Sequence, residues 1–590
     1  MAAFAEASTR SAPLSRPGGR YRIVTVEKAG GATYTPTELA DFVATEIAAR
    51  ADLSRPTLRV LDPAIGNGQL LMSLLSQLQS RSRATVIVVG FDTDPDALRD
   101  AERRLRIAFP AVTQNLHHDS FLAFALNRAQ SGPSPSRRRP RLEDFDIIIA
   151  NPPYVRSQIL GSREARALAS AFGLSGRVDL YHAFLIAMAR SLRPGGTAGI
   201  IVSNRFMTTR GGGTVRSAMR ERFALCHVWD LGDTKLFEAA VLPAILLAEG
   251  RNGRDPGSTS FTSIYRTDDP ATLAVPDAIA ALRGAGTVAL PDGRRFRVQH
   301  GCLASSANPT DLWRIATSEG DAWLRTVKRH TWDTFKAIGK VRVGVKTCAD
   351  AVFIRDDWDS LPSSQRPELL RPLTTHHIGS RFRAAPRGNR RLIVYPHDVV
   401  DGERQPVDLT QYPNTRRYLE RHRATLERRS YVRKAGRRWY EIWVPQDPLA
   451  WALPKLVFRD ISARATFWID LDGTVVNGDC YWLAAEGGRA AEWLWLAVAV
   501  ANSRLIEAFY DLSFNNKLYA GRRRFITQYV EQFPLPDPDS VIARSIVEAA
   551  KAIYATHPTS PMEAGVAEID RLVCRAFGLG AEPPRACTGP

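Results

Sequence analysis

Asn151-Pro152-Pro153-Tyr154 follows directly on the apolar run Phe145–Ala150. At the C-terminal edge of a parallel sheet, such a position is where ligands are met. The residue types suit transfer to a weak nitrogen nucleophile. An amino group on an aromatic base has its lone pair delocalised into the ring. Two acceptors aimed at its two hydrogens would hold it in line and favour a more tetrahedral nitrogen. The Asn151 side-chain oxygen and the Pro152 carbonyl can be those acceptors. Proline fixes the turn geometry, and Tyr154 can stack on a flat base. No covalent nucleophile is required, and the chain has no Pro-Cys pair of the kind cytosine-C5 enzymes use. Asn-Pro-Pro is also ordinary turn chemistry. Its place after an Ile-rich strand favours the chemical reading.

A second cluster lies upstream. Asp62-Pro63-Ala64-Ile65-Gly66-Asn67-Gly68 follows the apolar run Leu58–Leu61 and opens a helical pattern. Glycines at a strand-to-helix turn let the backbone approach a ligand closely. The helix N-terminus offers free N–H groups to an anion. The order D-P-x-x-G-x-G differs from G-x-G-x-x-G and favours a ligand with a carboxylate and no phosphate. The next strand ends in Phe91-Asp92-Thr93-Asp94-Pro95. Asp92 is placed for ribose hydroxyls. Asp94 before Pro95 reads as a helix cap. Asp119, in His118-Asp119-Ser120-Phe121, can accept from an adenine amino group. Each aspartate alone also reads as a cap or turn residue, but their order at successive strand ends speaks for one ligand.

These residues need a frame. Leu58–Leu61, Val86–Phe91, Phe145–Ala150 and Thr197–Val202 read as buried strands. Gln69–Gln79, Pro95–Phe109 and Leu180–Leu192 read as helices between them. That alternation predicts an α/β fold with a doubly wound, mostly parallel sheet. Ser131–Arg141 is a basic Pro/Ser insertion, read as a surface loop. After Gly250 the character changes. Arg251–Gly257 is turn-rich, and beyond it Trp and Arg become frequent. The expected organisation is a disordered tail over 1–22, a catalytic domain over 23–250, a second domain over 258–540 and a helical tail over 541–590. The tail carries two helical patterns, Val541–Ala555 and Met562–Phe577.

The 590 residues are more than one core needs, and the net charge of +18 suggests a polyanionic partner. Arg-rich codon usage is the plain alternative. The six cysteines, Cys226, Cys302, Cys348, Cys480, Cys574 and Cys587, show neither zinc spacing nor a disulfide framework. A reducing compartment suits them. The doublets His117-His118 and His376-His377 lack accompanying ligands, so no metal is expected. No apolar run approaches a membrane span, and Met1–Arg20 lacks the apolar stretch of a secretory signal.

Taken in order, Thr33-Tyr34-Thr35-Pro36, DPAIGNG, FDTDP, HHDSF and NPPY resemble the TaqI-like, gamma-type N6-adenine DNA methyltransferases of type II restriction-modification systems. The resemblance runs over nearly the whole chain beyond residue 30. It implies a Rossmann-like class I methyltransferase domain followed by a mixed α+β target-recognition domain. It implies S-adenosylmethionine as cofactor, with Thr35, Asp62, Gly66 and Gly68 at its methionine end, Asp92 at its ribose and Asp119 at its adenine. Phe184, in Asp179-Leu180-Tyr181-His182-Ala183-Phe184-Leu185, matches the aromatic beside the cofactor adenine, though it also reads as a core residue. Catalysis would rest on Asn151, Pro152 and Tyr154. One departure stands out. The family often has a second aromatic sandwiching the target base, and here Ser203–Gly213 ends in a glycine triplet. Phe206 from another position, or Tyr154 alone, would then serve.

The second domain resembles the family's recognition region at Val343–Thr347, Trp439–Trp443 and Phe514–Tyr519. Independently, Arg421–Arg438 carries eight Lys/Arg against one Glu, and Arg522-Arg523-Arg524 follows an expected loop. Phosphates attract such charge, so Arg433, Lys434, Arg437, Arg438, Arg522, Arg523 and Arg524 are the DNA-binding candidates. A solvated helix face is the plain alternative. The expected protein is a monomeric bacterial cytoplasmic enzyme, at work on the nucleoid. It would methylate N6 of an adenine flipped from double-stranded DNA into a cleft between the domains. It would protect a site, with a TCGA core by resemblance, from a partner restriction endonuclease. RNA adenine-N6 and protein glutamine methyltransferases pose the same nitrogen problem and are the alternatives.

Overall fold

The computed structural model describes residues 35–130, 145–155, 162–174, 179–237, 242–253, 257–304, 308, 310–384, 391–485, 489–514, 518, 522–556 and 562–580. The expected tail over 1–22, the Ser131–Arg141 loop and most of Phe514–Tyr519 lie outside them. Two compact units result, with the boundary between Thr317 and Ser318.

The first unit is built on strands β1 (Thr57–Asp62), β2 (Thr85–Asp92), β3 (Thr113–His118), β4 (Phe145–Ala150), β5 (Leu192–Ser203), β6 (Phe223–Asp230), β7 (Pro243–Gly250) and β8 (Ser260–Arg266). β9 (Leu273–Ala274), β10 (Gly286–Ala289), β11 (Arg295–Leu303) and β12 (Ile315–Ala316) complete its sheet among the described residues. The order is β3-β2-β1-β4-β5-β7-β6, continuing β8-β11-β10-β9, with β12 on β11. β3 to β5 are mutually parallel, and β7 runs antiparallel between β5 and β6. The register Leu61↔Ile148 and Asp62↔Gly90 brings the ends of β1, β2 and β4 to one edge.

Helices cover both faces. α1 (Thr37–Arg50), α2 (Gln69–Arg81) and α3 (Pro95–Ala108) bury Leu39, Val43, Leu70, Leu74 and Leu98 against one face. α4 (Phe121–Gln130), α5 (Ser162–Phe172), α6 (Leu180–Ser191) and α7 (Gly213–Arg222) bury Phe121, Leu168, Phe184 and Val215 against the other. A strand covered on both faces needs apolar side chains on both, and β4 is buried at all six positions. Asp94 caps α3, accepting from the Asp96 and Ala97 amides at 2.9 and 3.3 Å, with Pro95 in the first turn.

The catalytic unit does not end at Gly250, as the composition suggested. β8 pairs in parallel with β6, and β11 pairs with β8 over seven residues, so the sheet continues through the expected linker. Antiparallel pairing already enters at β7, before Gly250, so the change in composition does not mark a change of core.

The second unit carries one sheet of Val341–Val343, Cys480–Ala484, Lys455–Arg459 and Phe467–Asp470. Another joins Ile354–Arg355, Leu392–Val394, Leu370–Thr374 and Val475–Val476. Trp358, Trp451, Trp468 and Trp482 fill its core. The two C-terminal helices, Val541–Ala555 and Glu563–Ala576, are not a separate tail. Tyr554 packs edge-on against Trp495 at 5.1 Å, and Asp570 accepts from the Arg504 amide at 2.8 Å. Among the described residues no helix is long and apolar enough to cross a membrane.

Candidate active site

The expected site residues of the first unit gather at the C-terminal edge of β1, β2, β3 and β4. Asp62 ends β1 and is fully buried. Its Oδ1 accepts from the Ala64 amide at 3.1 Å, while Oδ2 has no partner among the described residues. Burial, with the neighbouring Asp92 charge adding to it, pushes this carboxyl up to about 8. Gly66 and Gly68 take the left-handed region at φ 52° and 80°. A Cβ at Gly68 would also stand 3.2 Å from Ala101 Cβ of α3, so glycine there answers both a dihedral and a packing demand. Asp92, at the end of β2, draws the turn in: Oδ2 accepts from the Gly66 amide at 2.8 Å and Oδ1 from the Asp94 amide at 2.9 Å.

Asp119 is exposed and accepts from the Ser120 amide at the start of α4. Phe184 of α6 is buried, its ring 6.0 Å from Phe121. Phe121 in turn packs on Phe91 at 5.6 Å, one residue before Asp92. Phe184 is therefore a core residue and a neighbour of the β2–β3 edge at once.

At the end of β4, Asn151 is held from two sides. Its Nδ2 donates to Thr35 Oγ1 at 3.0 Å, and its Oδ1 accepts from the Tyr154 hydroxyl at 2.8 Å. Burial holds the Tyr154 hydroxyl well above its usual range, so it stays a donor. The Tyr154 ring meets Tyr181 edge-on at 6.3 Å. Phe206 is fully buried, edge-on to Trp313 at 5.3 Å, because the helical turn Arg205–Thr208 points it into the core.

The family description Eco57I restriction-modification methylase matches residues 89–237, and TaqI-like C-terminal specificity domain matches residues 407–535. Type II methyltransferase M.BanIII of Aneurinibacillus aneurinilyticus is 35% identical over 568 residues, covering 94% of this chain and 98% of its own. The chain belongs to the TaqI-like type II restriction-modification methyltransferases. Type II methyltransferase M.PaeR7I of Pseudomonas aeruginosa is 27% identical over 578 residues, covering 95% and 94%. The solved structure of the type IIL enzyme MmeI in complex with DNA is similar in fold, at TM-score 0.56 and 12% identity, over 92% of this chain and 74% of that one.

This methyltransferase therefore uses S-adenosylmethionine and acts on DNA, against the RNA and protein alternatives. The glycine turn fits that cofactor. A buried carboxylate oxygen without a partner, beside two left-handed glycines, suits a ligand that carries both an ammonium and a carboxylate.

The basic candidates of the methyltransferase's second unit divide. Arg523 is not available to a phosphate: its buried guanidinium is bidentate to Asp511 at 2.8 Å on both oxygens. Arg524 is half-buried on Asp460. Arg437 stacks over Trp443, centroid distance 4.9 Å, and donates to the Trp443 carbonyl at 2.6 Å. Arg438 donates to the Tyr440 hydroxyl at 2.8 Å yet stays exposed. Arg433, Lys434 and Arg522 are exposed. Arg429, within the same basic run, is buried and donates to the Leu426, Thr347, Glu441 and Trp439 carbonyls. Residue type alone could not separate such a structural arginine from its exposed neighbours.

The sequence reading also missed a buried network beside β5. Asp230, at the end of β6, accepts from Asn204 Nδ2 at 2.9 Å and from the Tyr265 hydroxyl at 2.7 Å. Its members lie 26 and 35 residues apart, so only the sheet brings them together.

Proposed function

We propose that this methyltransferase methylates N6 of an adenine flipped out of double-stranded DNA. The observation that carries the reading is the Asn151 amide, fixed between Thr35 and Tyr154 at the end of β4. With Thr35 accepting from Nδ2, the amide is oriented so that Oδ1, which accepts from the Tyr154 hydroxyl in the free protein, can accept from the substrate amine. Oδ1 and the Pro152 carbonyl then receive the two amine hydrogens, and the Tyr154 ring stacks on the base. Two acceptors match an exocyclic amine and not a ring carbon.

Thr35, Asp62, Gly66 and Gly68 hold the methionine end of the cofactor, Asp92 its ribose, and Asp119 and Phe184 its adenine. When bound, S-adenosylmethionine supplies an electrophilic methyl group. Asp62 Oδ2 receives the ammonium hydrogens, and the protein excludes water around the fixed amine. Arg433, Lys434, Arg438 and Arg522 contact phosphates. The protein acts as a monomer and protects a TCGA-core site from a cognate endonuclease.

The test is to incubate the purified protein with unmethylated genomic DNA and tritiated cofactor, then map the modified positions. Label in N6-methyladenine at one short palindrome supports the reading. Label in cytosine, or in adenine without regard to sequence, overturns it.

A further inference from the structure

Two cations break otherwise buried stretches of the catalytic unit. From Gly196 to Thr208, through the end of β5 and the turn after it, Arg205 alone is exposed. From Val228 to Thr234 every residue is buried, and Lys235 then stands exposed. Long cationic side chains at a surface usually do no more than solvate it. These two differ in where they emerge and in how they are held.

Both emerge on the edge that carries Asn151. β5 is parallel to β4, and β7 runs antiparallel to both β5 and β6, so β6 shares their direction. The register fixes the level. Ala150 stands opposite Ile200, and Val202 and Asp230 both stand opposite Ala244. The turns that carry Arg205 and Lys235 therefore rise just beyond the level of Asn151.

The two turns are tied to one another. Asn204 Nδ2, beside Arg205, donates to Asp230 Oδ1 at 2.9 Å and to the Tyr265 hydroxyl at 3.2 Å, and that hydroxyl donates to Asp230 Oδ2 at 2.7 Å. Buried Arg216 donates to the Phe206 and Thr209 carbonyls. On the other turn Asp233 Oδ1 accepts from the Arg266 amide at 2.8 Å, and Arg294 donates to the Thr234 carbonyl at 2.8 Å. Lys235 itself is held in the left-handed region at φ 57°, which a residue with a Cβ disfavours. The backbone under each cation is fixed. Among the described residues neither side chain has an ion-pair partner.

We propose that Arg205 and Lys235 are a phosphate clamp of the catalytic unit, holding the DNA backbone beside the target nucleotide. The proposal rests on reading Asn151 as the site of a flipped adenine. A nucleotide turned out of the duplex carries its flanking phosphates with it, so its base is aligned only if the displaced backbone is held too. Cations on a fixed backbone do this at a lower ordering cost than cations on a mobile loop. The buried Asn204–Asp230–Tyr265 group keeps the two turns, and so the two cations, in a set relation.

Arg205→Ala, Lys235→Ala and the double variant are compared with the parent on a duplex bearing the mapped site. A neutral methylphosphonate replaces each phosphate near the target adenine in turn, and 2-aminopurine replaces that adenine for fluorescence. Each single variant should bind DNA about three- to tenfold more weakly and lower the log–log salt slope by about one, the double variant by about two. Each should be indifferent to a methylphosphonate at the phosphate it holds, where the parent loses affinity. The fluorescence rise should shrink, while cofactor affinity and the thermal midpoint stay parental, because both side chains are exposed. Arg205→Lys should keep the salt slope. A parent that gives no fluorescence rise and no N6-methyladenine would sink the flipped-adenine reading, and the clamp with it. A parent that does both, beside variants with the parental salt slope or with parental sensitivity to every methylphosphonate next to the target, would overturn the clamp alone.

Discussion

Tyr154 donates its hydroxyl hydrogen to Asn151 Oδ1 at 2.8 Å. The stacking residue and the acceptor proposed for the amine are thus bonded to one another before any base arrives. An incoming amine competes with that hydroxyl for the same oxygen. Tyr154→Phe keeps the ring and removes the competitor, so kcat/KM on DNA should stay within about threefold of parent. Tyr154→Ala loses the stack, worth about 1–3 kcal/mol, and should fall roughly five- to 150-fold. Steady-state methylation of the two variants decides it. If Phe is as poor as Ala, the hydroxyl and not the ring is what the reaction needs.

Asn151 is hydrogen-bonded to Thr35 and Tyr154 at the end of β4, and it is proposed to hold the target amine and not the cofactor. Asn151→Ala should therefore abolish methyl transfer while cofactor affinity stays nearly intact. Tritium transfer and calorimetry on the same preparation separate the two. Retention of more than about a tenth of parental rate, a loss under about 1.4 kcal/mol, would remove Asn151 from the chemistry.

Asp62 carries a pH signature. Burial raises its carboxyl from the ordinary 3.8 to about 8. Between those values the folded protein keeps a proton that the unfolded chain releases. The free protein should therefore lose stability as pH rises through that window, opposite in sign to a salt-bridged carboxylate. A ligand ammonium beside Oδ2 favours the ionised form. Cofactor affinity should then climb as pH rises toward about 8, by at most about tenfold per unit, and level off above it. Calorimetry in buffers of different ionisation enthalpy should show a proton released on binding, and Asp62→Asn should abolish both effects. Affinity that is flat from about pH 6 to 8, with no proton release, contradicts the assignment.

The catalytic half was legible because its signals are local. DPAIGNG, FDTDP and NPPY each follow an apolar run, and a parallel strand buried on both faces must be apolar throughout. β3 went unseen for the opposite reason: TQNLHH is an edge strand with Leu116 as its one aliphatic residue. The boundary near 250 failed because β8 and β11 carry the same sheet past the change in composition, β8 in parallel with β6 and β11 antiparallel to β8. Asp230–Asn204–Tyr265 was invisible because the partners are distant in sequence. Charge was legible as a total but not as a surface. Arg429 and Arg523 lie in the same basic runs as Arg433 and Arg522, and only burial distinguishes them.

That distinction predicts opposite phenotypes. Arg523→Ala removes the bidentate guanidinium from buried Asp511 and should cost about 3–5 kcal/mol of stability, read as a lower denaturant midpoint. Replacing Arg433 and Lys434 with alanine should leave stability within about 0.5 kcal/mol. That double variant should instead flatten the log–log salt dependence of DNA binding by up to about two units, with site preference unchanged. A stable Arg523→Ala protein with a reduced salt slope would put Arg523 back on the DNA.

The site choice should travel with the whole second unit. A pocket for one flipped base inspects one base, so a site of several base pairs needs another surface. The specificity-domain match begins at residue 407, but the fold of that region does not. Val341–Val343 pairs with Cys480–Ala484, and Leu373 stands opposite Val475. The Tyr418 hydroxyl donates to the Val352 carbonyl at 2.7 Å, and buried Arg429 donates to the Thr347 carbonyl at 2.9 Å. A graft joined at 407 cuts both sheets and orphans these groups, whereas one joined between Thr317 and Ser318 keeps them together. The chimera joined at 317 should fold and methylate the donor's site. The one joined at 407 should be insoluble, or at least markedly less stable in thermal unfolding. An active chimera joined at 317 that still modifies this protein's original site would show that recognition resides in the catalytic unit.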